Sequence, residues 1–243
     1  MIEPKGYLIE IFKGIQGEGP WIGESQIFLR FAGCNLSCKY CDTAYALNVP
    51  RQYKIADKYC NNPVTLVETI DIVKSYGSFS TTVSITGGEP LLQDDYLKML
   101  LPALKKEGYT VYLETNATLP KQLAKILQWV DIVSADIKLP SFTGESDIPK
   151  EHQEFLHVAR EKNLFVKVVV TDETIMDEIS MAVDIIRGID MNIPLIIQPD
   201  IDSSSVPFSM EANERLLKFH NYARTRLPNV RLLPQMHKLM GWK

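Results

Sequence analysis

Short β-branched and aromatic runs alternate with longer amphipathic stretches along most of the 243-residue chain, and that rhythm leaves few folds open. Strands are predicted over Tyr7–Phe12, Ile27–Phe31, Val83–Thr86, Val111–Glu114, Ile132–Ala135, Phe165–Val170, Leu195–Gln198 and Val230–Leu233. Helices are predicted near 64–76, 92–107, 119–129, 149–163, 174–188 and 209–227; in the last, Leu216, Leu217, Phe219, Ala223 and Leu227 recur at helical spacing. Pro102 predicts a kink or an early stop in the second helix, because its ring removes a hydrogen bond and crowds the preceding turn. Repeated βα units imply parallel strands with right-handed crossovers, hence an open doubly wound sheet or a barrel. Six units fall short of the eight in a full TIM barrel, so the expected α/β fold is an incomplete barrel of the (β/α)6 type. Residues 44–62, with Asn48, Pro50, Asn61 and Asn62, break the rhythm and read as an insertion or lid. No repeat, low-complexity tract or second domain stands out, so residues 1–243 are expected to form a single domain.

Composition narrows the class. Apolar residues make up 45% and charged residues 23%, which suits a globular protein and argues against a disordered chain or a disulfide-stapled miniprotein. The formal charge of -4 offers nothing to draw the chain to nucleic acid or to an anionic membrane. No apolar run approaches the roughly 18 residues of a membrane span, and the start Met-Ile-Glu-Pro-Lys lacks a secretory pattern. The expected compartment is the cytoplasm, where thiols stay reduced, so the four cysteines are read first as ligands, catalysts or inert core residues.

Three of those cysteines fall within eight residues, as Cys34-Asn-Leu-Ser-Cys38-Lys-Tyr-Cys41. On a compact loop these gaps let three thiolates converge on one cluster face. Three ligands leave one iron of a [4Fe-4S] cube open to a substrate or cofactor, whereas an electron carrier usually has four. The alternative is a closed zinc site with Cys60 as fourth ligand, although Cys60 by itself reads as an ordinary partly buried thiol. Reactive groups of parallel α/β folds gather at the carboxyl ends of strands. Cys34, Gly87-Gly88-Glu89-Pro90, Glu114, Lys138 and Gln198 all fall there.

The CxxxCxxC spacing after Arg30-Phe-Ala-Gly33, with Gly87-Gly88-Glu89-Pro90 about 50 residues later and after a strand, resembles the radical S-adenosylmethionine superfamily. The resemblance implies a partial barrel of the radical S-adenosylmethionine kind. It also implies a [4Fe-4S] cluster on Cys34, Cys38 and Cys41, with S-adenosylmethionine chelating the open iron. Tyr40 is then the aromatic residue near the adenine, and the Gly88 backbone receives the methionine amino group.

Ile15-Gln16-Gly17-Glu18-Gly19, Arg30, Cys41-Asp42-Thr43 and the tail Leu233-Pro234-Gln235-Met-His237-Lys238 resemble, taken together, the 7-carboxy-7-deazaguanine synthase family of queuosine precursor synthesis. That family contracts 6-carboxy-5,6,7,8-tetrahydropterin to 7-carboxy-7-deazaguanine with loss of ammonia, through hydrogen abstraction at C6 of the pterin. The resemblance implies that the Ile15, Gln16 and Gly17 backbone holds the pterin, with Gly17 allowing close approach. Arg30 pairs with the substrate carboxylate. Thr86, Gln235 and His237 also contact substrate, and Thr43 ligates Mg²⁺ together with substrate oxygens and water. S-adenosylmethionine is met by Tyr40, Cys41, Asp42, Gly88 and Glu114, by Asp136, Ile137 and Lys138, and by the turn Gln198, Pro199, Asp200 and Ile201. Glu114 reads equally well as a strand-end carboxylate bonded to the next loop, and Arg30 also reads as half of a strand-end salt bridge. Two departures stand out: Asp136-Ile137-Lys138 replaces the family's Ser-Pro-Lys, and the chain continues past Pro234. The family further implies a homodimer and a flavodoxin- or ferredoxin-type electron donor.

Two other readings share some of these residues. An activating enzyme for a glycyl radical enzyme has the same cysteines and GGEP stretch, and its Asp-x-Lys matches Asp136-Ile137-Lys138. A non-catalytic zinc or iron–sulfur module is the other, although the acidic balance argues against an RNA partner.

Overall fold

The computed structural model describes residues 4–144, 148–200 and 209–241. The chain enters on β1 (Leu8–Ile15) and turns back antiparallel on β2 (Ser25–Phe31), with Leu8 opposite Phe31 and Ile15 opposite Ser25. A hairpin of β3 (Gln52–Ile55) and β4 (Lys58–Asn61) then adds to the outer side of β1, β3 running parallel to it. The segment expected as an insertion thus carries two strands that a sequence rich in Asn, Lys and Tyr does not announce.

The βα rhythm follows: α1 (Leu66–Ser75), β5 (Thr82–Gly87), α2 (Asp94–Lys106), β6 (Thr110–Thr115), α3 (Pro120–Ile126) and β7 (Ile132–Asp136). Next come the one-turn α4 (Pro140–Thr143), α5 (Pro149–Ala159), β8 (Asn163–Val170), α6 (Met176–Ile189), β9 (Leu195–Pro199), α7 (Met210–Arg224), β10 (Val230–Leu232) and a short α8 (Met236–Met240). Every predicted strand and helix has its counterpart, while α4, α8 and the hairpin are additions. Helix α1 starts where Thr65 and Glu68 form a capping box, each side chain accepting from the other's backbone N–H. Helix α2 runs through Pro102 and does not stop there, because Leu97, Leu100, Leu101 and Leu104 on both sides of it are buried in the core.

The sheet order is β10-β9-β8-β7-β6-β5-β2-β1-β3-β4, and all pairs from β2 to β10 are parallel. From β5 to β10 each strand therefore pairs with the next one in the chain, and β2 pairs with β5 across the inserted hairpin. Right-handed crossovers that always step the same way put every helix on one face, which curls the sheet like a TIM barrel instead of winding it doubly. Among the described residues β10 and β4 each pair on one side only, so the barrel stays open. Most positions along the parallel strands are buried, as strands covered on both faces must be. Polar side chains among them line the cavity: Ser134 and Asp136, themselves buried, and the partly buried Lys167.

Candidate active site

The carboxyl ends of the strands open into one cavity of about 410 Å³. One part is cysteine-lined. Cys34 and Cys38 sit on the wall beside Cys41, all half-buried, with Tyr40 exposed at the rim. Local contacts hold this loop. Asn116 Nδ2 reaches Asn35 Oδ1 at 2.9 Å and Cys34 Sγ at 3.8 Å, and Asn35 donates to Thr118 at 2.9 Å. Asn116 is held in turn by Glu89, whose fully buried carboxylate accepts from the Asn116 and Leu91 N–H groups and from the Thr115 hydroxyl. Burial raises the Glu89 carboxyl to about 7, against the pull of those donors. The Gly-Gly-Glu-Pro turn locks onto the cysteine loop by its backbone: Gly88 N–H donates to Phe31 O at 3.1 Å and Glu89 N–H to Gly33 O at 2.7 Å. A Cβ on Gly88 would stand 2.2 Å from Gly33 O, so only glycine allows this approach. On the other side, the Tyr40 ring leans on Phe142 at 5.9 Å and its hydroxyl donates to Glu173 at 2.8 Å.

Burial raises the Cys38 thiol to about 11 and pushes Cys34 upward, so these sulfurs become thiolate ligands as a bound metal displaces their protons. A closed tetrahedral zinc site needs a fourth protein ligand, whereas three cysteines on one loop leave one iron of a four-iron cube open. Cys60 lies opposite Tyr53 in the β3–β4 hairpin and not on the cavity wall, so the four-cysteine zinc site does not assemble. The donor set fits the cube.

The other part of the cavity is polar and charged. Glu18 pairs with Lys167 and also accepts from Gln235 at 2.8 Å and Gln198 at 3.2 Å. Lys167 also approaches Asp136 Oδ2 at 3.4 Å, and Lys138 reaches the same oxygen at 2.9 Å. Two carboxylates and two ammoniums thus alternate across the wall, from the β1 end to the cysteine loop. Burial alone would raise the Glu18 carboxyl, but Lys167 and the Lys167 and Gln235 hydrogen bonds outweigh it and bring it down to about 2. Lys167 is held well above its usual value by Glu18, Asp136 and Glu114 against its own desolvation. Asp136 Oδ1 and Gln235 Oε1 are buried on this wall without a hydrogen-bond partner, which marks positions for a ligand to satisfy.

The predicted site residues mostly converge here. Ile15, Gln16, Gly17, Arg30, Asp42, Thr43, Thr86, Gly88, Glu114, Asp200 and His237 all line the cavity, with Cys34, Cys38, Tyr40, Cys41, Asp136, Lys138 and Gln235. Arg30 is a strand salt bridge and a cavity residue together: Nε binds the buried Glu10 at 2.9 Å, the guanidinium lies over the Phe12 ring at 5.5 Å, and the residue lines the cavity. Glu114 already accepts from Gln16 at 2.9 Å, Ser84 at 3.3 Å and Thr86 at 2.8 Å, so the strand-end role is filled. Ile137, Gln198 and Pro199 are buried off the wall; Gln198 reaches the site only through Glu18. Ile201 falls outside the described residues. Glu18, Glu89, Asn116 and Lys167 entered no functional role from sequence. Glu18 and Glu89 stood inside quoted motifs, while Lys167 lies mid-strand, where only its charge in the run Phe165-Val-Lys-Val-Val sets it apart.

Residues 29–171, from within β2 to just past β8, match the Radical SAM superfamily. The cysteine loop and the turn that grips it lie inside that span, so the chain is a radical S-adenosylmethionine enzyme, a class defined by a [4Fe-4S] cluster and S-adenosylmethionine. Within the class, a 7-carboxy-7-deazaguanine synthase of Geobacter sulfurreducens is 38% identical over 255 residues, covering 99% of each chain. One from Methanopyrus kandleri is 35% identical, covering 96% of this chain and 92% of its own. The chain belongs to the 7-carboxy-7-deazaguanine synthase family. The crystal structure of QueE from Escherichia coli shares the fold with a TM-score of 0.64 at 21% identity, covering 96% of this chain and 95% of that one.

Proposed function

We propose that this enzyme converts 6-carboxy-5,6,7,8-tetrahydropterin to 7-carboxy-7-deazaguanine with loss of ammonia. The observation that carries the reading is the closure of the cavity by both ends of the chain. Met236 N–H donates to Gly17 O at 3.0 Å, and a Cβ on Gly17 would stand 2.6 Å from His237 Nδ1. The tail therefore seats over the β1 end and encloses the polar half of the cavity. An activating enzyme must instead admit a glycine carried on a protein chain.

When bound, the cluster and S-adenosylmethionine supply removal and return of a hydrogen atom at the substrate. The chain's own residues bind and orient. Cys34, Cys38 and Cys41 hold the cluster. Gly88 offers backbone to S-adenosylmethionine, with Tyr40, Asp42, Asp136 Oδ1, Lys138 and Asp200 around it. Glu114 stands between the two ligands, fixing Gln16 and Thr86 on the pterin side, and Ile137, Gln198 and Pro199 support the S-adenosylmethionine end from behind the wall. The Ile15–Gly17 backbone, Thr86, Gln235 and His237 take the pterin. Arg30 takes its carboxylate with the guanidinium fork. Thr43 would hold Mg²⁺ together with substrate oxygens and water, in a cavity that also carries Glu18, Asp42 and His237 with ligand atoms within 4.8 Å of one another. Such an ion would orient the substrate and stabilise developing charge.

The exposed rim at Lys39 and Tyr40 is where a flavodoxin- or ferredoxin-type donor approaches. We further read the chain as one domain with residues 44–62 as an insertion, acting as a homodimer in the cytoplasm. Among the described residues no helix is long and apolar enough to cross a membrane.

The test is anaerobic incubation of reconstituted enzyme with S-adenosylmethionine, dithionite, Mg²⁺ and the pterin, followed by mass spectrometry. A product lighter by one ammonia is expected, and Cys38→Ala should abolish both iron loading and turnover. Cleavage of S-adenosylmethionine with the pterin unchanged would point to a different substrate.

A further inference from the structure

His152 belongs to α5 on the outer, helical face, yet it is fully buried and takes no part in the cavity wall. Both ring nitrogens are engaged. Lys138 N–H donates to Nε2 at 3.1 Å, and Nδ1 lies 3.1 Å from the Ala117 carbonyl. A ring that accepts at Nε2 carries its single proton on Nδ1, so Nδ1 donates to Ala117. The imidazole thus spans the loop after β6 and the loop after β7.

Both loops serve the cavity. Residues 115–118 carry Asn116, which reaches the cysteine loop, and residues 136–139 carry Asp136 and Lys138. The β6–β7 register ends at Thr115 opposite Ala135. Past that point, the His152 ring is the hydrogen-bonded link between the two loops among the described residues. Ala117 has φ 57, a left-handed conformation that is unfavourable for a non-glycine residue and persists where its surroundings hold it. Its N–H goes to the Thr115 hydroxyl at 3.2 Å and its carbonyl to His152.

We propose that His152 is a positioning residue for S-adenosylmethionine, setting the spacing of the 115–118 and 136–139 loops so that Asn116, Asp136 and Lys138 meet the cofactor in register. The inference rests on the reading that these loops contact S-adenosylmethionine. Burial depresses the ring to about 4, and the charged groups acting on it are Asp136, which favours the protonated form, and Lys138, which opposes it. The clamp is therefore made by the neutral ring throughout the working pH range.

The experiment uses cluster-loaded enzyme and equilibrium dialysis with S-adenosylmethionine and with the pterin. His152→Phe should bind S-adenosylmethionine about tenfold or more weakly, as the loss of two hydrogen bonds implies, while pterin affinity stays within about twofold. His152→Gln, which keeps a donor and an acceptor, should recover most of the affinity. Nitrogen-15 NMR of the wild-type histidine should show the proton on Nδ1. S-adenosylmethionine binding in His152→Phe equal to wild type, equal losses for both ligands, or a wild-type ring protonated on Nε2 overturns the proposal, and the last needs no variant to fold. Wild-type enzyme that binds no S-adenosylmethionine overturns the cofactor reading beneath it.

Discussion

At the scale of single residues, Glu18 shows where local sequence stops being informative. It stands in the Ile15–Gly19 stretch, but its partners Lys167 and Gln235 are 149 and 217 residues away, beyond any periodicity. Replacing it with Gln leaves Lys167 buried without its direct ion-pair partner and with Asp136 and Glu114 as its remaining counter-charges, so Glu18→Gln should destabilise by about 3 kcal/mol, read by urea unfolding. The pH dependence has a definite sign. A carboxyl lowered to about 2 from 4.5 contributes its full stability above about pH 4.5 and loses it as the pH falls towards 2. The variant should be nearly flat over that window, and a variant that tracks wild type there would refute the pairing. The three cluster cysteines were legible because their chemistry depends on local spacing within one loop. Arg30 was legible as a type but not as a partner, since its Nε contact is to Glu10 on the neighbouring strand.

At the scale of elements, function depends on backbones that touch. The Gly-Gly-Glu-Pro turn and the cysteine loop approach so closely that Gly88→Ala must drive them apart, since the new Cβ would meet Gly33 O at 2.2 Å. Lower iron content and lost S-adenosylmethionine binding are expected, measured by iron analysis and dialysis on the same preparation. Full cluster loading with normal binding would show that the contact is dispensable. Gly17→Ala acts at the other end, because its Cβ would stand 2.6 Å from His237 Nδ1 and lift the tail. The pterin KM should rise by about tenfold, or 1.4 kcal/mol, with S-adenosylmethionine affinity unchanged; a change confined to S-adenosylmethionine would relocate the tail's role. Elements with strong periodicity or β-branched runs were read correctly from sequence. The β3–β4 hairpin, α4 and α8 were not, because their strands and helices are only four or five residues long and too short to carry a period. Of the two outcomes Pro102 predicts, the early stop does not occur: the apolar face of α2 on the core outweighs the local preference to end the helix.

At the scale of the whole molecule, the buried ionisable groups set opposing pH dependences. His152 is depressed to about 4 from 6.5, so its contribution is complete above about pH 6.5 and is lost as the pH falls to 4, amounting to about 3 kcal/mol. Glu89 is raised to about 7 from 4.5, so its contribution is complete below about pH 4.5 and is lost as the pH rises to 7. Between pH 4.5 and 6.5 the two offset each other; below 4.5 Glu89 no longer compensates, the last of the His152 loss adds to that of Glu18 down to about pH 4, and Glu18 alone carries the fall towards 2. Urea unfolding of the cluster-free chain should therefore give a plateau and then a steep acid fall; a steady decline from neutral pH would contradict the assignment. The sequence by itself determined the βα order, the incomplete barrel and the cysteine loop, because period, unit count and ligand spacing are properties of contiguous residues. Only the tertiary structure decided that this barrel is extended at one edge by a hairpin, that Glu18, Lys167, Asp136 and Lys138 form one charged wall, and that His152 reaches from an outer helix to two inner loops. Those contacts join residues far apart in the chain, and they exist because curling the sheet brings the carboxyl ends of successive strands around one cavity.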